Sequence, residues 1–449
     1  MITYSIIRKS ELEGGLRLDA EYYQPEYLEV AKILQSTHHK NFDEVVSNII
    51  NGAEIREYVE EDGLPYLRVS DIKEFFIDLS SVVYVTKESK IKQNIKLKED
   101  DILLSRSGSL AIAAVVTPDL SDSIISSHLM RISVRGINPY FLVTFLNSKF
   151  GKAQIMQRNN GTIVPEINHP SLKSLSVPIL SEDTQKEIEK IVRNAYGKVQ
   201  ESNKIYSQAE DLLLEELGIK DFEIDDDLSY IVNLSEIKSA HRADAEYFQP
   251  KYEKIIFLIR ANGGTMLGDL ATMKKGIEPG SEVYQDEGKL FIRVSSLSKN
   301  GLEDKDQKYL SDELYQKLKK NYEPKVGEIL LTKDATPGIA YVVKEPIEGI
   351  VSSGILRLKL KNEKVENEYL ALCLSSVIGQ MQAERDGGGS IITHWRPEQI
   401  KNVLIPILPK PTQQKIANLV QKSHEVRKKA KELLEQAKYK VEQLIESKK

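Results

Sequence analysis

The chain has 449 residues, enough for two to four domains, and its 41% hydrophobic and 29% charged content is that of a folded globular protein. This balance excludes a disordered chain, a collagen-like fibre and a small disulfide scaffold, and the single cysteine, Cys373, excludes an internal disulfide and a Cys-rich metal site. The net charge of −5 argues against nucleic-acid binding through bulk positive charge, yet the segment 410–449 holds eleven Lys/Arg against five Glu and 215–227 is strongly acidic.

At the start, MITYSIIRKSELEGG has no apolar stretch with a small-residue cleavage site, and no later run approaches the ~18 apolar residues of a membrane span, so a cytosolic protein is expected. Residues 17–27 read RLDAEYYQPEY, with Pro25 suited to the first turn of a helix. From 38 to about Pro178, short apolar runs such as LPYLRVS, ILLSRS, IAAVV and LMRISV read as strands, with a helical patch at 139–156. A Pro-free stretch follows at 182–217. In it Ile188, Ile191, Ala195, Val199, Ile205, Ala209 and Leu212 recur at helical spacing, predicting a helix of about 36 residues, roughly 54 Å long.

Then the chain begins again. RADAEYFQPKY at 242–252 repeats 17–27 at an offset of 225, and FIRVS (291–295) repeats YLRVS (66–70). DILLSRSGSLAIAAVV (101–116) matches EILLTKDATPGIAYVV (328–343), SSHLMR (126–131) matches SSGILR (352–357), and NPYF (138–141) matches NEYL (367–370). Gly161-Thr162-Ile163 aligns with Gly389-Ser390-Ile391, and VPILSEDTQKEI (177–188) with IPILPKPTQQKI (405–416). The offset drifts only to 229, so the chain is a tandem duplication whose units are too long for a solenoid repeat. The second copy ends on its own long helix, with Ile416, Val420, Ser423, Ala430, Leu434, Ala437, Val441 and Leu444 on a seven-residue repeat. So long an apolar seam either packs on its own domain or pairs with the equivalent helix. Related copies in one chain favour an antiparallel coiled coil about a pseudo-two-fold.

Chemistry-bearing motifs are scarce. The seven histidines show no metal-ligand spacing, and no phosphate loop, dinucleotide fingerprint or nucleophile elbow occurs, so no cofactor and no catalysis are expected. Asn138-Pro139-Tyr140-Phe141 resembles the Asn-Pro-Pro-Tyr loop of adenine methyltransferases but lacks the second proline. Asn138 and Asn367 are better read as helix N-caps. Pro118-Asp119 has no matching Glu-x-Lys that would complete a nuclease motif. Asp19, Glu21 and Tyr22, with copies Asp244, Glu246 and Tyr247, are better suited to docking the helix that follows them than to catalysis.

Assembled in order and twice over, the DAEYYQP/DAEYFQP openings, the GLPYLRVSDI/GKLFIRVSSL and DILLSRSG/EILLTKDA strands and the (V/I)PIL-x₃-TQxxI junctions resemble the specificity subunit of a type I restriction–modification enzyme. The resemblance implies a mixed α/β fold: two similar target-recognition domains, separated by two long helices that pair as an antiparallel coiled coil. It divides the chain into an N-terminal helical segment (1–37), domain 1 (38–181), a central helix (182–217), an acidic connector with the repeated N-terminal segment (218–262), domain 2 (263–409) and a C-terminal helix (410–449). It further implies a non-catalytic subunit whose domains each read half of a split site in double-stranded DNA. The helix pair would set the gap and dock two adenine methyltransferase subunits, with restriction/translocase subunits joining for cleavage. A coiled-coil scaffold that binds proteins without DNA specificity is the alternative.

Direct readout needs Arg, Lys, Asn, Gln, Ser or Thr on loops. In domain 1 the candidates are Arg56, Ser105, Arg106, Ser107, Lys152, Arg158, Asn159, Asn160 and Thr162. In domain 2 they are Lys274, Lys275, Thr332, Lys333, Thr336, Arg385, Ser390, Thr393 and His394. Arg106 and Lys333, aligned at loop starts, suit phosphate positioning, and Arg68 and Arg293, identical in both copies, suit a shared structural or phosphate role. The copies differ where Ser107-Gly108 becomes Asp334-Ala335 and where NGTIVPEI becomes GGGSIITHW. Trp395, the only tryptophan, is expected to pack beside the helix junction rather than stack on DNA.

Overall fold

The computed structural model describes residues 4–12, 18–59, 63–87, 96–160, 164–220, 229–303, 307–387 and 394–447. It forms two compact units, residues 1–198 with 429–449, and residues 199–428.

In the first unit the central strand Ile102–Ser105 lies between Leu129–Val134 and Ala113–Val115, and Val46–Asn51 completes an antiparallel four-stranded sheet. All four residues of the central strand are buried, because both of its faces are covered. Ile102 and Leu104 pack with Phe141 and Phe145 of the helix Pro139–Asn147, while Leu103 packs with Leu67, Ile125 and Leu129. That two-sided burial is why the strand reads ILL instead of alternating with polar residues. A second sheet orders Val83–Val85, Leu64–Leu67 and Ile124–Ile125, its last pair parallel.

The second unit repeats this order strand for strand. Ala271–Lys275, Ile355–Leu360, Ile329–Thr332 and Ala340–Val342 form its four-stranded sheet, and Lys308–Leu310, Lys289–Ile292 and Gly349–Val351 its three-stranded one. Ile329 and Leu331 again face one core while Leu330 faces the other.

The proline-led helices are Pro25–Ser36 and Pro250–Ala261. Asn138 is the expected N-cap, its side chain accepting from the backbone N–H of Tyr140 (2.9 Å) and Phe141 (3.2 Å). Asn367 is not. Its helix starts one residue earlier, with Glu366 at the cap, and the freed amide of Asn367 donates to the Gly327 carbonyl instead (3.1 Å).

The long helices span Glu182–Leu217 and Lys410–Glu446. In the first unit Ile188, Val192 and Ala195 of one bury against Leu434, Ala437 and Val441 of the other, and Glu187 pairs with Lys440. In the second unit Asn203 accepts from Arg427 (2.9 Å) and Tyr206 stacks near His424, so partners descend as the first helix ascends and the pair is antiparallel. The seam differs in detail from the expected one. Ile191, Val199 and Leu212 are only half-buried, while Val192, Ser202 and Leu213 take core positions. A strict seven-residue step through 188, 195, 202 and 209 admits Ser202, which reading by hydrophobicity skips. Its hydroxyl meets that of Ser423 at 3.1 Å, and the Ser423 hydroxyl donates to the Ser202 carbonyl (2.8 Å).

Candidate nucleic-acid interface

Beneath the loops of both domains lies one polar frame, built twice. In the first, Asp101 and Arg131 are both buried and 3.5 Å apart, and Asp101 accepts from Ser133 Oγ (2.6 Å) and the Lys98 N–H (3.0 Å). In the second, Glu328 takes Arg357 bidentately (2.8 and 2.9 Å) and the Lys325 N–H (2.9 Å). The longer glutamate reaches two guanidinium nitrogens, Nε and Nη2, whereas aspartate leaves room for a serine. Gln154 exchanges two hydrogen bonds with the backbone of Ser176, and Gln382 two with Leu404. The glutamine of each TQxxI motif, Gln185 or Gln413, ties the start of a long helix to the loop before a core helix, accepting from the N–H of Asn138 (2.9 Å) or Glu366 (3.1 Å).

On this frame sit two equivalent loops, 105–112 and 332–339. Each has two left-handed positions: Gly108 (φ 81°) and Ala111 (φ 63°) in one, Ala335 (φ 61°) and Gly338 (φ 92°) in the other. Glycine has changed places, but the backbone has not. The loops are pinned alike from outside. The N–H of Ile167 donates to the Arg106 carbonyl (2.9 Å) and that of Trp395 to the Lys333 carbonyl (2.8 Å). Antiparallel bridges join Ser107 to Glu166 and Asp334 to His394.

The side chains on these bridges differ. Arg106 pairs with Glu166 and donates to the Ser127 carbonyl (3.2 Å). Lys333 pairs with Asp334 at 2.6 Å, and His394 Nδ1 lies 2.9 Å from the other Asp334 oxygen. Burial alone would raise the Asp334 pKa, but hydrogen bonds from Lys333 and His394 outweigh it and hold the carboxyl below its usual range. Such a surface offers fixed hydrogen-bond donors and acceptors. Among the described residues no group of three or more His, Cys, Asp or Glu is placed to hold a metal.

The remaining described candidates fall into three groups. Ser105 and Thr332 are fully buried, their hydroxyls accepting from the N–H of Ile112 and Ile339 (2.9 Å each). They close the loops from below, whereas Thr336 is exposed. Several more are engaged within the protein. Lys152 pairs with Glu74, Arg158 donates to Ser174 Oγ (2.9 Å), Asn159 Oδ1 accepts from the Glu166 N–H (2.9 Å), and Asn160 donates to Ser171 Oγ (3.1 Å). Arg68 donates to the Ser81 carbonyl (2.7 Å), and the Arg293 N–H to Ser296 Oγ (3.0 Å), each opening a short turn. Arg385 lies over the Tyr247 ring (5.0 Å) with Arg242 (4.6 Å), so it serves the docking of the repeated EYF turn; its counterpart Gln157 donates to the Tyr22 carbonyl (3.0 Å). Exposed on the surface are Arg56, paired with Glu54 at 2.6 Å, and the strand residues Lys274 and Lys275. Thr162, Ser390 and Thr393 lie outside the described residues. Trp395 is fully buried and donates to Asp386 (3.2 Å), as its packing role requires.

Sequence reasoning missed that Glu166 and Asp334 sit on the two loop bridges, and missed the Asp101–Arg131 and Glu328–Arg357 pairs. The signal for the pairs was present, since each charge recurs inside an apolar run in both copies.

Residues 44–210 and 265–436 each match the type I restriction modification DNA specificity domain. The chain is 23% identical over 442 residues to the putative type I restriction enzyme MjaX specificity subunit of Methanocaldococcus jannaschii, covering 93% of this chain and 94% of that protein. It is 27% identical over 140 residues to the type I restriction enzyme EcoBI specificity subunit of Escherichia coli, covering 30% and 29%. Among solved structures it is similar to the S subunit of a type I restriction–modification system from M. genitalium (TM-score 0.39, 12% identity, 91% of this chain and 95% of that one). It is also similar to the HsdS subunit from Thermoanaerobacter tengcongensis (TM-score 0.30, 15% identity, 92% and 97%). Two matches to one domain take in well over half of the sequence, and the duplicated frame lies within them: the chain belongs to the type I restriction modification DNA specificity family.

Proposed function

We propose that this chain is the DNA-reading subunit of a type I restriction–modification complex, with domains 38–181 and 263–409 each recognising one half of a split sequence. The observation that carries this is one buried frame presenting two different sets of polar groups at the loop bridges, Arg106/Ser107/Glu166 and Lys333/Asp334/His394, with Lys333 itself buried against Asp334 and Glu166, Asp334 and His394 reaching solvent. A duplicated protein-binding scaffold has no need to diversify one loop while preserving the geometry beneath it; a reader of two unlike half-sites does. Arg56, Lys274 and Lys275 supply phosphate contacts that set register.

The helix pair sets the gap. A helix of 36 residues is roughly 54 Å long, an upper bound of about 16 base pairs at 3.4 Å each. Its outward faces dock two adenine methyltransferase subunits, and restriction subunits join that assembly in the cytosol. The subunit positions those enzymes and performs no chemistry itself. The test is co-expression with the methyltransferase of the same system and sequencing of methylated positions in host DNA. A split motif with a fixed gap, lost when this chain is omitted, is the expected result. Methylation unchanged without the chain would refute the proposal.

A further inference from the structure

Resting on that DNA-reading role, we infer that one carboxylate per domain, Glu166 in the first and Asp334 in the second, selects an amine-bearing base, cytosine or adenine. Its change of side across the loop bridge is then a source of the difference between half-sites.

Positions 107 and 334 are equivalent, as are 166 and 394, and each pair faces its partner across the same antiparallel bridge. The first domain carries its acid on the far side of the bridge, at Glu166, opposite Ser107. The second carries it on the near side, at Asp334, opposite His394. In both, the cation just before the bridge, Arg106 or Lys333, follows the acid and holds it. The charge has migrated while the pairing survived and the backbone stayed fixed.

Arg106 or Lys333 compensates the charge of each acid on a surface that meets phosphates, and the acceptor positions left over suit a further hydrogen-bond donor. The exocyclic amine of cytosine or adenine is such a donor in the major groove. Both acids remain in reach of solvent, Glu166 with 43% and Asp334 with 24% of the side chain exposed. A carboxylate has about four acceptor positions. Lys333 and His394 occupy one on each Asp334 oxygen and fix its rotamer, leaving capacity for a base.

The experiment uses the full chain co-expressed with its methyltransferase, as wild type, Glu166→Gln and Asp334→Asn, and reads the methylated motif by sequencing. These near-isosteric changes are expected to alter one position each, in opposite half-sites, lowering preference for the original base about tenfold or more. The gap and the remaining positions should stay unchanged. A second variant, Ser107→Asp with Glu166→His, gives the first domain the arrangement of the second and should alter the same position as Glu166→Gln. An unchanged motif in all variants would overturn the inference. So would uniform loss of methylation with a lowered melting temperature, which marks a pair that only fastens the loop. Should the wild type impose no sequence at all, the DNA-reading proposal falls first, and this inference with it.

Discussion

Ala335 adopts φ 61°, a conformation that costs an L-residue roughly 1–2 kcal/mol, whereas the equivalent Gly108 adopts φ 81° without a Cβ to strain. A Cβ added at Gly108 would meet nothing within 4 Å, so only backbone strain separates the residues there. Gly108→Ala should therefore destabilise the first unit by about 1 kcal/mol and Ala335→Gly should stabilise the second by somewhat less, because glycine also raises the entropy of the unfolded chain. Shifts in urea midpoint, followed by a probe in each unit, check both. A larger effect belongs to the buried pair. Arg357→Met strands the Glu328 carboxylate and should cost about 3–5 kcal/mol, while Arg357→Met with Glu328→Leu should recover most of that loss in thermal unfolding.

Among the elements, the C-terminal long helix carries a buried titratable group. His424 lies between Tyr206 and Tyr341, its Nε2 donating to the Lys299 carbonyl (3.0 Å). Burial, reinforced by the charge of Lys344, pushes its pKa down from 6.5 to about 4. Between those values the unfolded chain binds the proton that the folded chain refuses, so stability rises with pH across the window. The contribution is complete above about pH 6.5 and lost as pH falls to 4, at most about 3 kcal/mol. His424→Gln keeps a donor for Lys299 and should flatten this part of the profile. Relative to wild type, the melting temperature of the variant should rise as pH falls from 7.5 to 4. At the seam itself, Ser202 and Ser423 are matched in the repeat by Ala430 and Ala195, so small residues recur where the helices approach.

For the whole molecule, the proposed function makes recognition modular, one half-site to each copy of the duplicated domain. Exchanging 38–181 for the corresponding domain of a family member should change one half of the methylated sequence and leave the other intact. Removing seven residues, two turns, from each long helix should shorten the gap and spare both half-sites. Motif sequencing distinguishes these outcomes, and movement of gap and half-sites together in both experiments would defeat the modular design. If the proposed phosphate contacts set the register, binding by the complex should fall steeply with salt.

The sequence by itself determined the duplication, the strand-rich domains and the long helices, because these rest on periodicity and repeated order that survive without coordinates. It also placed Asn138 at its cap and Trp395 in packing, where local chemistry decides. What it could not settle was direction. Ser105 and Arg106 are neighbouring polar residues that both suited a DNA contact, yet one is buried under its loop and the other reaches Glu166, a residue 60 positions away. Arg385 and Lys275 look alike in sequence, but a tyrosine from the repeated N-terminal segment claims only the first. Tertiary structure made those choices, because which side chain faces solvent depends on strands and turns that meet only when distant segments pair. The same holds for the acid that changes sides of its bridge, since Glu166 and Asp334 become comparable only once both bridges are formed.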